Sequence, residues 1–248
     1  MSRSGAERSR QLLLFPQTGT GPSFASFRTD RLPLVVETCA ALARGQRSGY
    51  AVLHGPPGSG KSHLLRAACQ ASTGRGGQAA LWIPDPREPL PEPEGSLPYE
   101  FLAIESLDTV AGDSRLERTC FGFIRAAQQG RLRLLLAGRR PPTELAWKLP
   151  DLASRLVAMT LPGLSPVDES LWPEILEHRC EERGMKLEAA ASRWLLRHGP
   201  RRLETLLGVV DELADHGGAV GRKITVPRVR RVVLEQESRI RANPGGQT

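Results

Sequence analysis

The chain has 248 residues, of which 40% are apolar, and a formal net charge of +7. This length suits one α/β domain with a small appendage or two compact units. No apolar run approaches the roughly 18 residues of a membrane span. The basic N-terminus lacks the pattern of a secretion signal. The four cysteines lack the spacing of a metal site. We therefore expect a cytoplasmic protein with buried thiols and no membrane partner. The positive charge leaves direct contact with nucleic acid open.

The chain begins with a predicted flexible tail over residues 1–22, which contains one apolar segment, QLLLF. Helices then alternate with strands. The expected elements are a helix over 30–43 with Asp30 as N-cap, a strand at 50–55, a helix from 61 to about 71, a strand at 79–84, a Pro-rich loop over 84–98, a strand at 100–105, a helix over 114–129 with a Ser114/Glu117 capping box, a strand at 132–138 and a fifth strand at 158–163.

This alternation predicts an α/β domain over residues 23–163, with a parallel sheet between helices. After residue 163 the pattern contains only helices, at about 166–183, 187–198, 201–216 and 227–239. We expect these to form a small all-helical lid domain over 164–240, followed by a disordered tail over 241–248.

The first strand leads into the segment GPPGSGKS, which satisfies the phosphate-loop pattern G-x-x-x-x-G-K-[ST] and is followed by a helix. The glycines let backbone N–H groups turn toward phosphate oxygens, and the helix N-terminus adds its dipole. The predicted nucleotide-binding residues are Gly55, Pro56, Pro57, Gly58, Ser59, Gly60, Lys61 and Ser62. Lys61 is expected at the β- and γ-phosphates and Ser62 at Mg²⁺, so the loop predicts binding of a nucleoside di- or triphosphate, ADP or ATP.

The residues expected to catalyse hydrolysis are unusual. Glu105 ends the third strand, where an Asp normally holds Mg²⁺, and Ser106 follows where a second acid is expected. Asp108 is expected beyond the strand end, and Arg139 occupies the place of a polar γ-phosphate sensor. Together these residues predict a site that binds nucleotide, with Ser62 and Glu105 toward Mg²⁺, and hydrolyses it poorly.

Three segments, SGYAVLHGPPGSGKSHLLRAAC, AGRRPPTELAWKLPDLASRL and FASF, resemble the DnaA-like AAA+ family, and most closely its Hda subfamily of regulators. The resemblance covers about residues 11–235 and implies an AAA+ P-loop domain followed by a helical lid. Initiators of this family carry a further C-terminal helix-turn-helix domain, for which the residues after the last predicted helix are too few. The resemblance therefore favours a regulator over an initiator.

Regulators of this subfamily begin with a peptide of the form Gln-Leu-x-Leu-Phe/Pro, which binds the β sliding clamp. Gln11, Leu12, Leu13, Leu14 and Phe15 are similar to that form, in the expected place. Leu14 and Phe15 would be the large anchors, Leu12 would add apolar area, and Gln11 would hydrogen-bond at the rim of the pocket. The alternative is an apolar strand that packs on the protein's own sheet.

Two arginines complete the implied site. Arg155, in LASRL, matches the arginine finger of the family, which points into a neighbouring subunit's nucleotide site; a salt-bridged surface arginine is the alternative. Arg201, in GPRRLETL, matches the second sensor, although Arg202 beside it competes for that assignment and an ordinary solvated helix arginine is a third possibility.

The resemblance implies a regulator of chromosomal replication initiation. Bound to the clamp on DNA, it would stimulate hydrolysis of DnaA-bound ATP and so prevent re-initiation. Its contact with DNA and with the nucleoid would then be indirect, through the clamp. The competing hypothesis is an autonomous P-loop ATPase, of helicase-loader or initiator type, acting on DNA. Self-association stays open.

Overall fold

The structure, a computed structural model, describes residues 12–14, 22–24, 27, 32–74, 76–93, 97–215 and 222–242. The predicted site residues Gln11 and Phe15, and the predicted N-cap Asp30, lie outside these ranges. The chain divides into two compact units, Met1–Pro166 and Val167–Thr248. Each unit is described by itself.

The first unit alternates strands and helices. Its elements are β1 (Leu12–Leu14), α1 (Pro33–Ala43), β2 (Gly49–His54), α2 (Lys61–Thr73), β3 (Ala79–Trp82), β4 (Phe101–Ile104), α3 (Leu107–Val110), α4 (Ser114–Gln128), β5 (Arg133–Gly138), a 3₁₀ turn (Pro142–Glu144) and α5 (Pro150–Ala158). The α/β class predicted from the alternating pattern is confirmed.

These strands form one five-stranded sheet in the order β1-β3-β4-β5-β2. The pairs β3–β4, β4–β5 and β5–β2 are parallel. Their central residues are buried on both faces, as expected for strands covered by helices on each side. The parallel arrangement places the carboxyl ends of β2, β4 and β5 at one edge, which is where the candidate site lies.

The fifth strand predicted at 158–163 is absent from the described sheet. Thr160 makes only an isolated parallel bridge to Val52. Pro162 follows two residues later, and a residue without an N–H cannot continue a ladder of hydrogen bonds. The fifth strand of the sheet lies at the opposite edge and comes from the N-terminal segment.

That fifth member is β1, and here the structure differs from the flexible tail that we predicted. Leu12–Leu14 pair antiparallel with β3, with Leu12 opposite Trp82, Leu13 opposite Leu81 and Leu14 opposite Ala80. Without this partner, β3 would present a row of unpaired backbone groups at the sheet edge. Three successive leucines in extended conformation can satisfy that edge.

The N-terminus of α4 also differs from the prediction. Asp113, rather than Ser114, is its N-cap, and its side chain accepts hydrogen bonds from the N–H groups of Arg115, at 2.8 Å, and Leu116, at 3.1 Å. The two N–H groups lower the pKa of the Asp113 carboxyl, because they stabilise its charged form. Glu117 therefore does not form the predicted capping box and makes other contacts.

The second unit contains α6 (Trp172–Glu182), β6 (Met185–Leu187), α7 (Ala189–His198), α8 (Leu203–Asp215), β7 (Arg222–Ile224) and α9 (Val226–Ala242), preceded by a 3₁₀ turn (Glu169–Leu171). It is mostly helical, as predicted, but not entirely, because β6 and β7 pair in a short parallel sheet. Its core is built from aliphatic side chains of the four helices and both strands. Within the described ranges, no helix is long and apolar enough to cross a bilayer.

Candidate functional site

The phosphate loop connects the end of β2 to the start of α2. Gly58 and Gly60 adopt φ values of +75° and +87°, which glycine reaches without a steric penalty. The Lys61 ammonium donates to the carbonyl oxygen of Pro56 at 2.8 Å and to Ser59 Oγ at 3.1 Å. The loop therefore curls around the ammonium at the N-terminus of α2, and this arrangement fits a bound phosphate chain.

The predicted magnesium ligands lie together. Glu105 directly follows β4, and the Ser62 hydroxyl donates a hydrogen bond to Glu105 Oε1. A hydroxyl and a carboxylate at the phosphate loop form an oxygen donor set that fits Mg²⁺. Arg66, which the sequence analysis did not single out, lies with its Nη2 atom 3.8 Å from Glu105 Oε2. Its spacing of four residues from Ser62, on the same helix face, is the signal that could have identified it.

Ser106 follows Glu105 in the place expected for a second acid, and the Asp108 carboxylate contacts the residues just after β5. Ser106 is the one non-glycine residue with positive φ, +60°, among those that the structure describes. Asp108 lies past the strand end, as predicted, within α3. Its Oδ2 accepts the backbone N–H of Arg139 at 2.5 Å, and its Oδ1 lies 3.6 Å from Arg140 Nε. Asp108 thus ties α3 to the end of β5.

An aromatic contact lies against the phosphate loop. The ring of Phe27 lies so close to Gly60 that a Cβ atom on that glycine would be 2.5 Å from a ring carbon. The same ring is 5.8 Å, centroid to centroid, from His63. His63 Nε2 in turn lies 2.9 Å from the carbonyl oxygen of Ser23. The segment just before α1 therefore packs on the start of α2, which the sequence analysis did not anticipate.

The predicted finger, Arg155, lies in the last turn of α5. Its guanidinium carbon is 5.2 Å from the centre of the Phe121 ring, and its Nη1 donates to the side-chain oxygen of Gln128. Both partners are neutral side chains of α4, one seven residues after the other and so on one face of that helix. Among the described residues no carboxylate forms an ion pair with Arg155, and its role as the finger stays a prediction.

The helix that carries Arg155 is fixed at both ends. Before its first turn, the N–H groups of Lys148 and Leu149 donate to the Glu117 carboxylate at distances of 2.8–3.0 Å. Near its C-terminus, the Tyr50 hydroxyl donates to the carbonyl oxygen of Arg155 at 3.0 Å. Burial raises the pKa of Tyr50, so this hydroxyl keeps its proton.

Glu117 does not form the capping box predicted for it and instead links three backbone segments. It is fully buried, and besides the two N–H groups before α5 it accepts the N–H of Gly112 at 2.7 Å. Its carboxylate lies near the N-termini of both α4 and α5, whose dipoles favour negative charge there. It therefore joins α5 to α4, the helix whose side chains contact the Arg155 guanidinium.

The remaining predicted site residues are only partly described. Arg201 and Arg202 lie just before α8 in the second unit, both exposed, and Arg202 Nη2 is 3.5 Å from Glu204 Oε2. The role of Arg201 as second sensor stays a prediction. Of the clamp-binding peptide, Leu12–Leu14 are described as β1, with Leu13 47% and Leu14 61% exposed.

The four cysteines take no part in this site. Cys39, Cys69, Cys120 and Cys180 are buried and free of disulfides, as predicted. Burial raises the pKa of Cys39, Cys120 and Cys180 to about 12 and that of Cys69 as well. These thiols are therefore protonated and unreactive near neutral pH.

Comparison with known proteins agrees with this architecture. A family model described as the Hda lid domain matches residues 169–233. Domain III of DnaA from Thermotoga maritima superposes with a TM-score of 0.61 at 15% identity, covering 86% of this chain and 95% of that one. AMPPCP-bound DnaA from Aquifex aeolicus gives a TM-score of 0.57 at 16% identity, covering 88% and 69%.

A third similar structure is the RuvB branch-migration motor of Thermotoga maritima, with a TM-score of 0.53 at 15% identity, covering 92% of this chain and 82% of that one. At these identities the structural matches establish the fold alone. The family model adds a match of the lid region to one specific kind of lid domain. Residues 169–233 thus match the lid domain of Hda, and the chain has the fold of the DnaA ATPase domain, with a P-loop α/β domain followed by a predominantly helical lid.

Proposed function

We propose that the protein regulates replication initiation by stimulating hydrolysis of ATP bound to DnaA, with Arg155 as an arginine finger supplied in trans. The observation that carries this proposal is the placement of Arg155. Arg155 lies on α5, a helix that is anchored at both ends. Its guanidinium contacts the neutral side chains of Phe121 and Gln128 on α4. An arginine held in place but not neutralised is suited to meet phosphate oxygens of another molecule.

The proposed hydrolysis of DnaA-bound ATP requires few other groups from this chain. A planar guanidinium can donate two parallel hydrogen bonds to phosphate oxygens as negative charge shifts during phosphoryl transfer. In nucleotide hydrolases, a finger supplied in trans raises the rate on the order of 10³–10⁵-fold. DnaA would supply its own Mg²⁺ and water-positioning groups. The unusual residues at Ser106 and Arg139 would then not limit the reaction.

The protein's own nucleotide site would hold ADP or ATP as a structural ligand. Lys61 and the N-terminus of α2 would bind the phosphates, and Ser62 and Glu105 would hold Mg²⁺, which neutralises phosphate charge when bound. Because Ser106, rather than an acid, follows Glu105, we expect intrinsic turnover near background. Arg201 would be the second sensor.

The clamp peptide would bring the regulator to its target. Gln11–Phe15 would bind the β sliding clamp, and a clamp on DNA would hold the protein near DNA-bound DnaA at high effective concentration. The contact with DNA is then indirect.

The test is a single-turnover assay of DnaA loaded with labelled ATP, with clamp assembled on DNA. Wild type should accelerate hydrolysis, and Arg155→Ala should not, although it still binds clamp and ADP. Arg155→Lys should recover little, because an ammonium lacks the planar fork. Arg193→Ala, at an exposed site in α7, is the matched control and should behave as wild type. Full stimulation by Arg155→Ala would mean that the finger lies elsewhere or that DnaA is not the target.

The hydrogen bond between Ser62 and Glu105 favours one second candidate, an autonomous ATPase, because it keeps the magnesium ligands together. Steady turnover by the isolated protein, abolished by Glu105→Gln and unaffected by Arg155→Ala, would support that function. Turnover near background, increased by Ser106→Asp, would support the regulator.

A further inference from the structure

The proposed clamp peptide already has a partner within its own chain. Its central residues form β1 on the edge of β3, in a defined antiparallel register. Side chains alternate along a strand, so Leu12 and Leu14 lie on one face and Leu13 on the other. Leu12 is half-buried and packs against the core cluster that contains Trp82.

This arrangement conflicts with clamp binding. Leu14 is one of the two expected anchors of the peptide and Leu12 adds apolar area to it, and Leu12 is already in contact with the protein's core. The backbone of β1 is also paired with β3 along one side. A peptide that inserts its anchors into a pocket on another protein must therefore leave this edge.

We propose that the edge of β3, Ala80–Trp82, is a docking surface for the protein's own clamp peptide, so that β1 pairing and clamp binding exclude one another. This inference rests on the clamp-binding part of the proposed function. Within the described part of the segment the pairing involves Leu12–Leu14, and Leu13 and Leu14 stay 47% and 61% exposed, so the pairing buries little of these two side chains. The clamp would bind the undocked fraction, and its apparent affinity falls in proportion to that fraction.

A disulfide between β1 and β3 tests this exclusion. Leu13 and Leu81 lie directly opposite one another. Antiparallel partners have Cα atoms about 4.5–5.5 Å apart, which is within the range that a disulfide spans. Leu13 is also the variable position of the clamp-binding pattern, so Leu13→Cys leaves the anchors intact. The native cysteines are buried thiols and do not compete for oxidation.

The experiment compares the double variant Leu13→Cys/Leu81→Cys, oxidised and reduced, with wild type and with each single variant, by surface plasmon resonance on immobilised clamp. Oxidation should weaken binding of the double variant by at least about tenfold, and dithiothreitol should restore it. The single variants should not respond to oxidant. Melting temperatures of both forms check that the protein stays folded.

Three outcomes decide the question. If the oxidised double variant binds clamp as tightly as the reduced one, pairing and clamp binding are compatible and the inference is wrong. If the disulfide does not form in the folded protein, the β1–β3 register is absent in solution and the inference is again wrong. If wild type itself does not bind clamp, the clamp-binding part of the proposed function fails, and the exclusion fails with it.

Discussion

Removing the buried carboxylate of Glu117 should destabilise the α/β unit more than any surface substitution. Three backbone N–H groups, those of Gly112, Lys148 and Leu149, donate to it. A hydrogen bond to a charged group contributes about 1.5–3 kcal/mol. Three such bonds sum to about 4.5–9 kcal/mol, comparable to the whole free energy of unfolding of a domain, about 5–15 kcal/mol. Glu117→Ala is therefore expected to express as unfolded or barely folded protein.

Glu117→Gln is the more informative variant, because it keeps the shape of the side chain and one acceptor oxygen. Gly112 donates to Oε1 and Leu149 to Oε2. A glutamine has one oxygen, so one of these two N–H groups must face an amide NH₂ and lose its acceptor. We expect the free energy of unfolding to fall by about 2–3 kcal/mol, the contribution of one bond to a charged acceptor.

The assay is urea unfolding followed by tryptophan fluorescence, since Trp82 and Trp147 lie in the α/β unit. Glu144→Gln, at an exposed position in the same unit, is the control and should change the midpoint little. If Glu117→Gln matched this control within about 0.5 kcal/mol, the Glu117 contacts would not hold α5 in place. The folded fraction of Glu117→Gln should also stimulate hydrolysis of DnaA-bound ATP less, because Lys148 and Leu149 directly precede α5, the helix that carries the proposed finger Arg155.

Three further predictions concern the phosphate loop and one helix cap. Lys61→Ala should abolish ADP binding and remove the rise in melting temperature that ADP produces, as measured by calorimetry. Gly60→Ala should lower the free energy of unfolding by about 1–3 kcal/mol and weaken ADP binding. The added Cβ would collide with the Phe27 ring, and alanine is strained at the positive φ of this position. Gly208→Ala, in open space within α8, is the control and should stabilise the protein slightly. Asp113→Ala should cost about 1 kcal/mol at pH 7. The native pKa of Asp113 is lowered, so its stabilisation is complete above the unfolded value of about 3.9 and is lost as pH falls through the native value. The difference from wild type in urea unfolding should therefore disappear at low pH, and a constant difference would contradict the assignment.

The phosphate loop and its acid were predictable because both depend on local spacing. Gly55–Ser62 encodes a strand-to-helix turn within eight residues, and Glu105 ends a short apolar run whose length and place in the alternating pattern favour a buried strand. Parallel strands meet at one edge, so Ser62 and Glu105 were expected to lie close together, and they do.

Contacts between elements distant in sequence could not be predicted in the same way. Glu117 follows Ser114 by three residues, the spacing of a capping box, but its partners at Lys148 and Leu149 are about thirty residues away. Nothing in the local pattern distinguishes these two uses of a glutamate. The same holds for Leu12–Leu14, whose pairing depends on an open edge at β3.

The left-handed backbone at Ser106 has a consequence for how this site can change. A non-glycine residue rarely adopts φ of +60°, and aspartate and asparagine tolerate this conformation better than most side chains. The position where a catalytic acid is expected therefore has a backbone that accepts aspartate readily and resists β-branched residues. A Ser106→Asp substitution can therefore place a carboxylate after Glu105 with little added backbone strain.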